Sequence, residues 1–205
     1  MAKLSLPLLI FSLICVSALV VPALARRSPH QAYIEVSCHA TRYPALCIQC
    51  LSGYANGSIE SPQQLAQAAL AVSLYKARYT RAYMAKVARD LRLMKARDYQ
   101  PIQDCVDQID NGIDQLTQSI QELRRLGQET VGDDFYWHIS NVESWVSAAQ
   151  TDAMTCLDEF PEGRMGKTKA VLKGKVLNVA MTTSNALALF HRFAAKYGAR
   201  TATKP

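Results

Sequence analysis

Four stretches of this 205-residue chain repeat apolar residues every three to four positions, and that period leaves little choice but paired helices. The clearest runs over residues 101–126, where Ile102, Val106, Ile109, Ile113, Leu116, Ile120 and Leu123 step by four and three without a miss. Pro101 stands where a helix start tolerates proline. Asp104 and Asp107 lie in the early turns, and Arg124 and Arg125 in the last, each complementing the helix dipole. Gly127 offers a stop. The next stretch, 134–160, carries Phe135, Ile139, Val142, Val146, Ala149, Ala153, Cys156 and Phe160. Asp133 or Asp134 caps its start, and Pro161 with Gly163 ends it. The last, 167–197, carries Leu172, Val176, Val179, Thr183, Ala186, Phe190, Phe193 and Tyr197, with Gly174 weakening its first turns. The earliest, 61–96, starts on a Ser61 cap with Pro62 behind it and shows Leu65, Ala68, Val72, Tyr75, Tyr79, Tyr83, Val87, Leu91 and Met94 as its stripe.

Each stripe needs a partner, the connections are short, and no sustained two-residue alternation marks a strand. The expected fold is all-α: an up-down four-helix bundle over 61–197. A small αα-hairpin precedes it within 26–60, broken at Thr41-Arg42-Tyr43-Pro44, and a short basic tail, 198–205, follows.

Residues 1–25 read as a secretory signal peptide. Lys3 gives the positive start, an apolar run follows, and Ala23-Leu24-Ala25 forms a small-x-small cleavage site. No later stretch is apolar for long enough to span a bilayer. The remaining 26–205 is one domain by length. Export changes the meaning of the cysteines. Cys38, Cys47, Cys50, Cys105 and Cys156 remain after cleavage, an oxidising compartment favours pairing them, and five leaves one over. Their spacing suggests one short loop near Cys38 and one long loop from Cys105 to Cys156. Closing the long loop is worth about 4 kcal/mol in the chain-entropy model and the short one about 2.5. A bridge between Cys38 and Cys47 would staple the hairpin. One between Cys105 and Cys156 would join the start of one bundle helix to the end of the next, the geometry of antiparallel neighbours. Asn56-Gly57-Ser58 is an N-glycosylation sequon in a turn-rich stretch.

The chain has a formal net charge of +6. Its densest basic cluster is Arg164, Lys167, Lys169, Lys173 and Lys175, read as a solvated helix face. A basic balance suits acidic polymers or acidic partners, while exported chains with scattered basic residues are poor nucleic-acid binders.

Catalysis finds little support. His30, His39, His138 and His191 are scattered outside any motif, and a hydrolase needs nucleophile, base and orienting group together. Cys47-Ile-Gln-Cys50 has no second pair for zinc and no βαβ context for redox work, so Cys50 reads as a spare thiol, a rival to Cys47, or a link between two copies. No cofactor or metal is expected. A lipid carrier is disfavoured because continuous stripes predict a filled core. The tyrosines of 61–96 and Met84 read as core, and Trp137 and Trp145 as core or partner contact.

Four motifs carry a resemblance. They are Cys38-His-Ala-Thr-Arg-Tyr-Pro-Ala-Leu-Cys47, Asp104-Cys105 with the stripe behind it, Val142-Glu-Ser-Trp-Val-Ser-Ala-Ala-Gln-Thr151 with Thr155-Cys-Leu-Asp-Glu-Phe160, and Ser184-Asn-Ala-Leu-Ala-Leu189. In this order they resemble the plant invertase and pectin methylesterase inhibitor family. The resemblance implies a bundle with a hairpin extension, bridges Cys38–Cys47 and Cys105–Cys156, and one-to-one blockade of a cell-wall carbohydrate enzyme. It implies a secreted, apoplastic protein and a free inhibitor without a fused catalytic domain; the chain is expected as a monomer, or as a dimer where Cys50 links two copies. Inhibitors of acid invertase tend to carry Pro-Lys-Phe before the third bundle helix. Here that region reads Gly132-Asp-Asp-Phe-Tyr-Trp-His138, so the resemblance favours pectin methylesterase as target, with acid invertase as the alternative.

Two polar strips flank the Cys105–Cys156 tie. Asp107, Asn111 and Asp114 form one, and Thr151, Thr155 and Asp158 the other. The resemblance places them against the target enzyme beside its substrate cleft, with Asn111 standing where an acidic residue is common.

Overall fold

The structure is a computed structural model that describes residues 28–55, 59–126, 133–160 and 166–202. The signal peptide, the Asn56 sequon, the Gly127, Pro161 and Gly163 stops and Arg164 lie outside the described residues. The elements are α1 (Pro29–Cys38), α2 (Pro44–Leu51), a 3₁₀ turn (Ser52–Tyr54), α3 (Pro62–Leu93), α4 (Tyr99–Arg125), α5 (Asp133–Asp158) and α6 (Lys167–Ala202). The described residues contain no strand.

Helices α3 to α6 form a ring in which α3 packs on α4, α4 on α5, α5 on α6 and α6 back on α3. The chain alternates direction. Gln63 near the start of α3 donates to the Leu123 carbonyl near the end of α4 at 2.9 Å, and Glu143 early in α5 accepts from His191 late in α6 at 3.1 Å. Leu65, Met84, Leu116, Val142, Leu172 and Phe190 are among the fully buried side chains on the axis.

Local signals place the helix ends. At Ser61 a full capping box forms: its hydroxyl accepts from Gln64 N–H at 3.2 Å while the Gln64 carboxamide accepts from Ser61 N–H at 3.1 Å, and Pro62 occupies the first helical position. The far end of α3 closes with Lys95 at φ 50°. The Ala96 N–H reaches the Leu91 carbonyl at 3.0 Å and the Lys95 N–H reaches that of Arg92 at 3.1 Å. That is the Schellman pattern, with lysine where glycine is usual.

Three expectations shift. Helix α4 begins at Tyr99, so Pro101 is its third residue and still within the turn whose N–H groups have no helical partner. Helix α6 runs through Gly198 to Ala202, so the expected tail begins helical. The α3 stripe holds at Leu65 and Ala68 and is displaced beyond them. Tyr75, Tyr79 and Met94 are exposed, Val72, Tyr83, Val87 and Leu91 are half-buried, and the buried line is Ala69, Ser73, Ala77, Thr80, Met84 and Ala88. Size decides here rather than hydropathy: small residues let neighbouring helices approach, and the bulky rings are turned to the rim. The stripes of α4 and α5 hold, with Ile113 and Ile139 at the half-buried margin. Leu172 to Phe193 of the α6 stripe is buried throughout.

The hairpin is stapled by Cys38–Cys47 and docks on α6. The Asn185 carboxamide accepts from Tyr43 N–H and donates to the Tyr43 carbonyl, both at 3.0 Å, so it meets both backbone groups at the break between α1 and α2. Arg192 donates to the Ser37 carbonyl at 2.9 Å, and His30 to that of Ile59 at 3.2 Å. Cys50 is half-buried and forms no disulfide.

Candidate target-binding face

The α4–α5 seam has the most secure register in the bundle. Cys105 and Cys156 are joined, with their Cα atoms 4.7 Å apart. Two turns on, Gly112 lies against Ala149. A Cβ there would stand 3.6 Å from the Ala149 carbonyl oxygen, an ordinary contact distance, so the two helices pack closely at this point. At the far end of the seam, Glu122 is buried with 5% of its side chain exposed. It accepts from His138 Nδ1 at 2.7 Å, Asn141 Nδ2 at 3.1 Å and Arg125 Nη1 at 3.2 Å. Burial raises its pKa, but the hydrogen bonds from His138 and Asn141 and the nearby charges outweigh burial and hold it below the usual range. A covalent tie at one end and a clamped carboxylate at the other fix two rods as one slab.

The six strip residues are all exposed on this slab, either side of the tie. Asp107 accepts from Gln103 at 3.1 Å, and the Thr151 hydroxyl donates back to the Ser147 carbonyl at 3.0 Å, leaving its oxygen able to accept. Asn111, Asp114, Thr155 and Asp158 are held by no hydrogen bond or ion pair among the described residues. Met154, beside Thr155, adds an apolar contact at 48% exposure. The strips thus offer free acceptors and donors on a stiff base, the kind of polar surface a partly wet interface uses.

Sequence reasoning missed Asp152, between the strips and the seam. Burial raises its pKa, and a side-chain hydrogen bond to Gln115 only partly opposes this. Its Oδ2 and Gln115 Oε1 have no partner. Aspartate on a helix whose neighbours are Thr, Ala and Met gives no sign that it is half-buried.

His138, His191 and His30 are engaged by Glu122, Glu143 and the Ile59 carbonyl, each in a different place. Among the described residues no group of three or more His, Cys, Asp and Glu could hold a metal, and no helix is long and apolar enough to cross a membrane. Trp137 stands 62% exposed at the start of α5, whereas Trp145 is half-buried.

The family model described as plant invertase/pectin methylesterase inhibitor matches residues 32–189. The chain belongs to this family. Pectinesterase inhibitor 9 of Arabidopsis thaliana is 44% identical over 85% of this chain and 86% of its own length. The 21 kDa protein of Daucus carota is 41% identical over 95% of this chain and 98% of its own. The fold is shared with a crystal structure of a mutant pectin methylesterase inhibitor from Arabidopsis, at TM-score 0.59 and 20% identity, covering 77% of this chain and 95% of that one. The family motifs thus fall on structural duties in this inhibitor-family chain. Cys38 to Cys47 makes the stapled hairpin, Asn185 clamps it to α6, and Thr155-Cys156 carries the tie.

Proposed function

We propose that this chain is a secreted inhibitor of pectin methylesterase that lays the α4–α5 face across the enzyme's substrate cleft, one inhibitor to one enzyme. The observation that carries the reading is the join between a disulfide-locked pair of helices and six exposed polar side chains beside the lock. The several relatives named pectinesterase inhibitor support the choice of target. Inhibition is steric: the rigid slab keeps the polymer out, and Asp107, Asn111, Asp114, Thr151, Thr155 and Asp158 fix its orientation by hydrogen bonds. Rigidity matters because side chains already held in place lose less entropy on binding. The leader at residues 1–25 would send the protein to the cell wall, where its target acts, and the Asn56 sequon would carry a glycan.

The test is a titration of the purified mature chain against a pectin methylesterase and an acid invertase. Complete inhibition of the esterase at one equivalent, with invertase unaffected, is the expected result. Inhibition of invertase alone, or turnover of esterified pectin by the chain itself, would overturn it.

A further inference from the structure

Charge is divided between two halves of the bundle. Helix α6 has no acidic residue, and α3 has only Asp90 among Lys76, Arg78, Arg81, Lys86, Arg89 and Arg92. Helix α5 has no Lys or Arg, and α4 has them only at Arg124 and Arg125 in its last turn. Since α3 adjoins α6 and α4 adjoins α5, one side of the molecule is basic and the other acidic.

A groove runs along the basic side between α3 and α6. Lys76, Tyr79, Gly174 and Lys175 line one hollow, and Tyr83, Lys86, Thr168 and Asp90, the one carboxylate of α3, line the next. Lys175 Nζ links the two, 4.5 Å from the centre of the Tyr79 ring and 4.8 Å from that of Tyr83. Tyr75 and Tyr79 are 67% and 56% exposed. Some cations of this side are engaged: Lys169 pairs with Asp98 at 2.8 Å, and Arg81 with Asp110 at 2.9 Å. Lys76, Lys86, Lys167 and Lys175 form no ion pair among the described residues. A Cβ on Gly174 would meet nothing within 4 Å, so the floor of the groove is open.

We propose that the α3–α6 groove binds a polyuronate, the carboxylate-bearing sugar polymer that removal of methyl esters from pectin leaves behind. Lysines without an ion-pair partner suit a chain with a carboxylate on every sugar, and the tyrosine ring faces that Lys175 does not cover offer flat apolar surface for the C–H faces of the sugars. Lysine ammonium groups give point-charge attraction without the bidentate geometry of arginine, which fits a flexible polymer better than a single fixed anion. The site would hold the inhibitor where de-esterification has already occurred while the acidic α4–α5 half stays free for the enzyme. The choice of polymer rests on the pectin methylesterase reading; the charged groove itself does not.

The mature chain is titrated calorimetrically with polygalacturonate and with fully methyl-esterified pectin at low and raised salt. Binding to polygalacturonate that weakens as salt rises, with little to the esterified polymer, is expected. The Lys76→Gln/Lys175→Gln double variant and, separately, Gly174→Glu, which sets a carboxylate on the open floor, should each weaken binding by about tenfold. Neither should melt below the parent, Gly174→Glu melting slightly above it because a glycine inside a helix is replaced, and both should keep the parent's inhibition of pectin methylesterase. Equal binding of the two polymers, no binding of polygalacturonate, or parent-like binding by both variants would overturn the proposal. Loss of esterase inhibition in the parent chain with polygalacturonate binding retained would instead strike the enzyme target and leave the groove standing.

Discussion

Asp152 sits on α5 next to Thr151, half-buried, with Oδ2 unpartnered and Gln115 as its hydrogen-bonding neighbour. Its pKa is raised above the ordinary value chiefly by burial, so the folded protein takes up a proton more readily than the unfolded chain. The stability this contributes is complete below the ordinary Asp pKa of about 3.9 and is lost as pH rises through the folded value. Asp152→Asn keeps the shape, removes the desolvated charge, and gives an N–H that can reach Gln115 Oε1. Thermal melts should show the variant about 2–4 °C above the parent at neutral pH, a gain near 1 kcal/mol that fades on acidification towards the ordinary range. Glu122 works in the opposite sense. Its lowered pKa contributes stability above the ordinary Glu range that is lost as pH falls through the folded value. The residues that sequence made legible were those whose type announces a job, Cys105 and Cys156. Glu122, Asn141 and Asn185 were not legible, because each acts on a residue far along the chain or on bare backbone that only helix register brings near.

At the level of elements, α3 shows both the reach of pattern reading and its limit. Its start was legible because Ser61, Pro62 and Gln64 form a chemical signature. Its buried face was not, because alanine, serine and threonine line most of that face beside Met84, while Tyr75, Tyr79 and Met94 stand at the rim. Hydropathy ranks the rings as core; the space between close helices does not admit them. Its end carries a correctable strain, since Lys95 is exposed and holds φ 50° without the freedom of glycine. Lys95→Gly should raise the unfolding free energy by about 1 kcal/mol in denaturant melts, with the slope unchanged. A loss of stability would mean that the lysine side chain contributes more than its backbone costs.

Across the whole molecule, the bundle divides its charge by side. The Cys105–Cys156 link and the Glu122 clamp make α4 and α5 a rigid, acidic, polar slab, and α3 and α6 leave a basic groove on the other side. Bundle, hairpin and tie were visible in four stripes and five cysteines. The charge division was not, because it appears only when the ring order sets α3 beside α6. The slab as inhibitory face is tested most directly with Thr155→Ala/Asp158→Ala, which removes two exposed side chains from the inhibitor without touching the core. Its inhibition constant against pectin methylesterase should rise by about tenfold to a hundredfold, with a melting temperature within about 2 °C of the parent. An unchanged inhibition constant in a variant that melts with the parent would contradict the account.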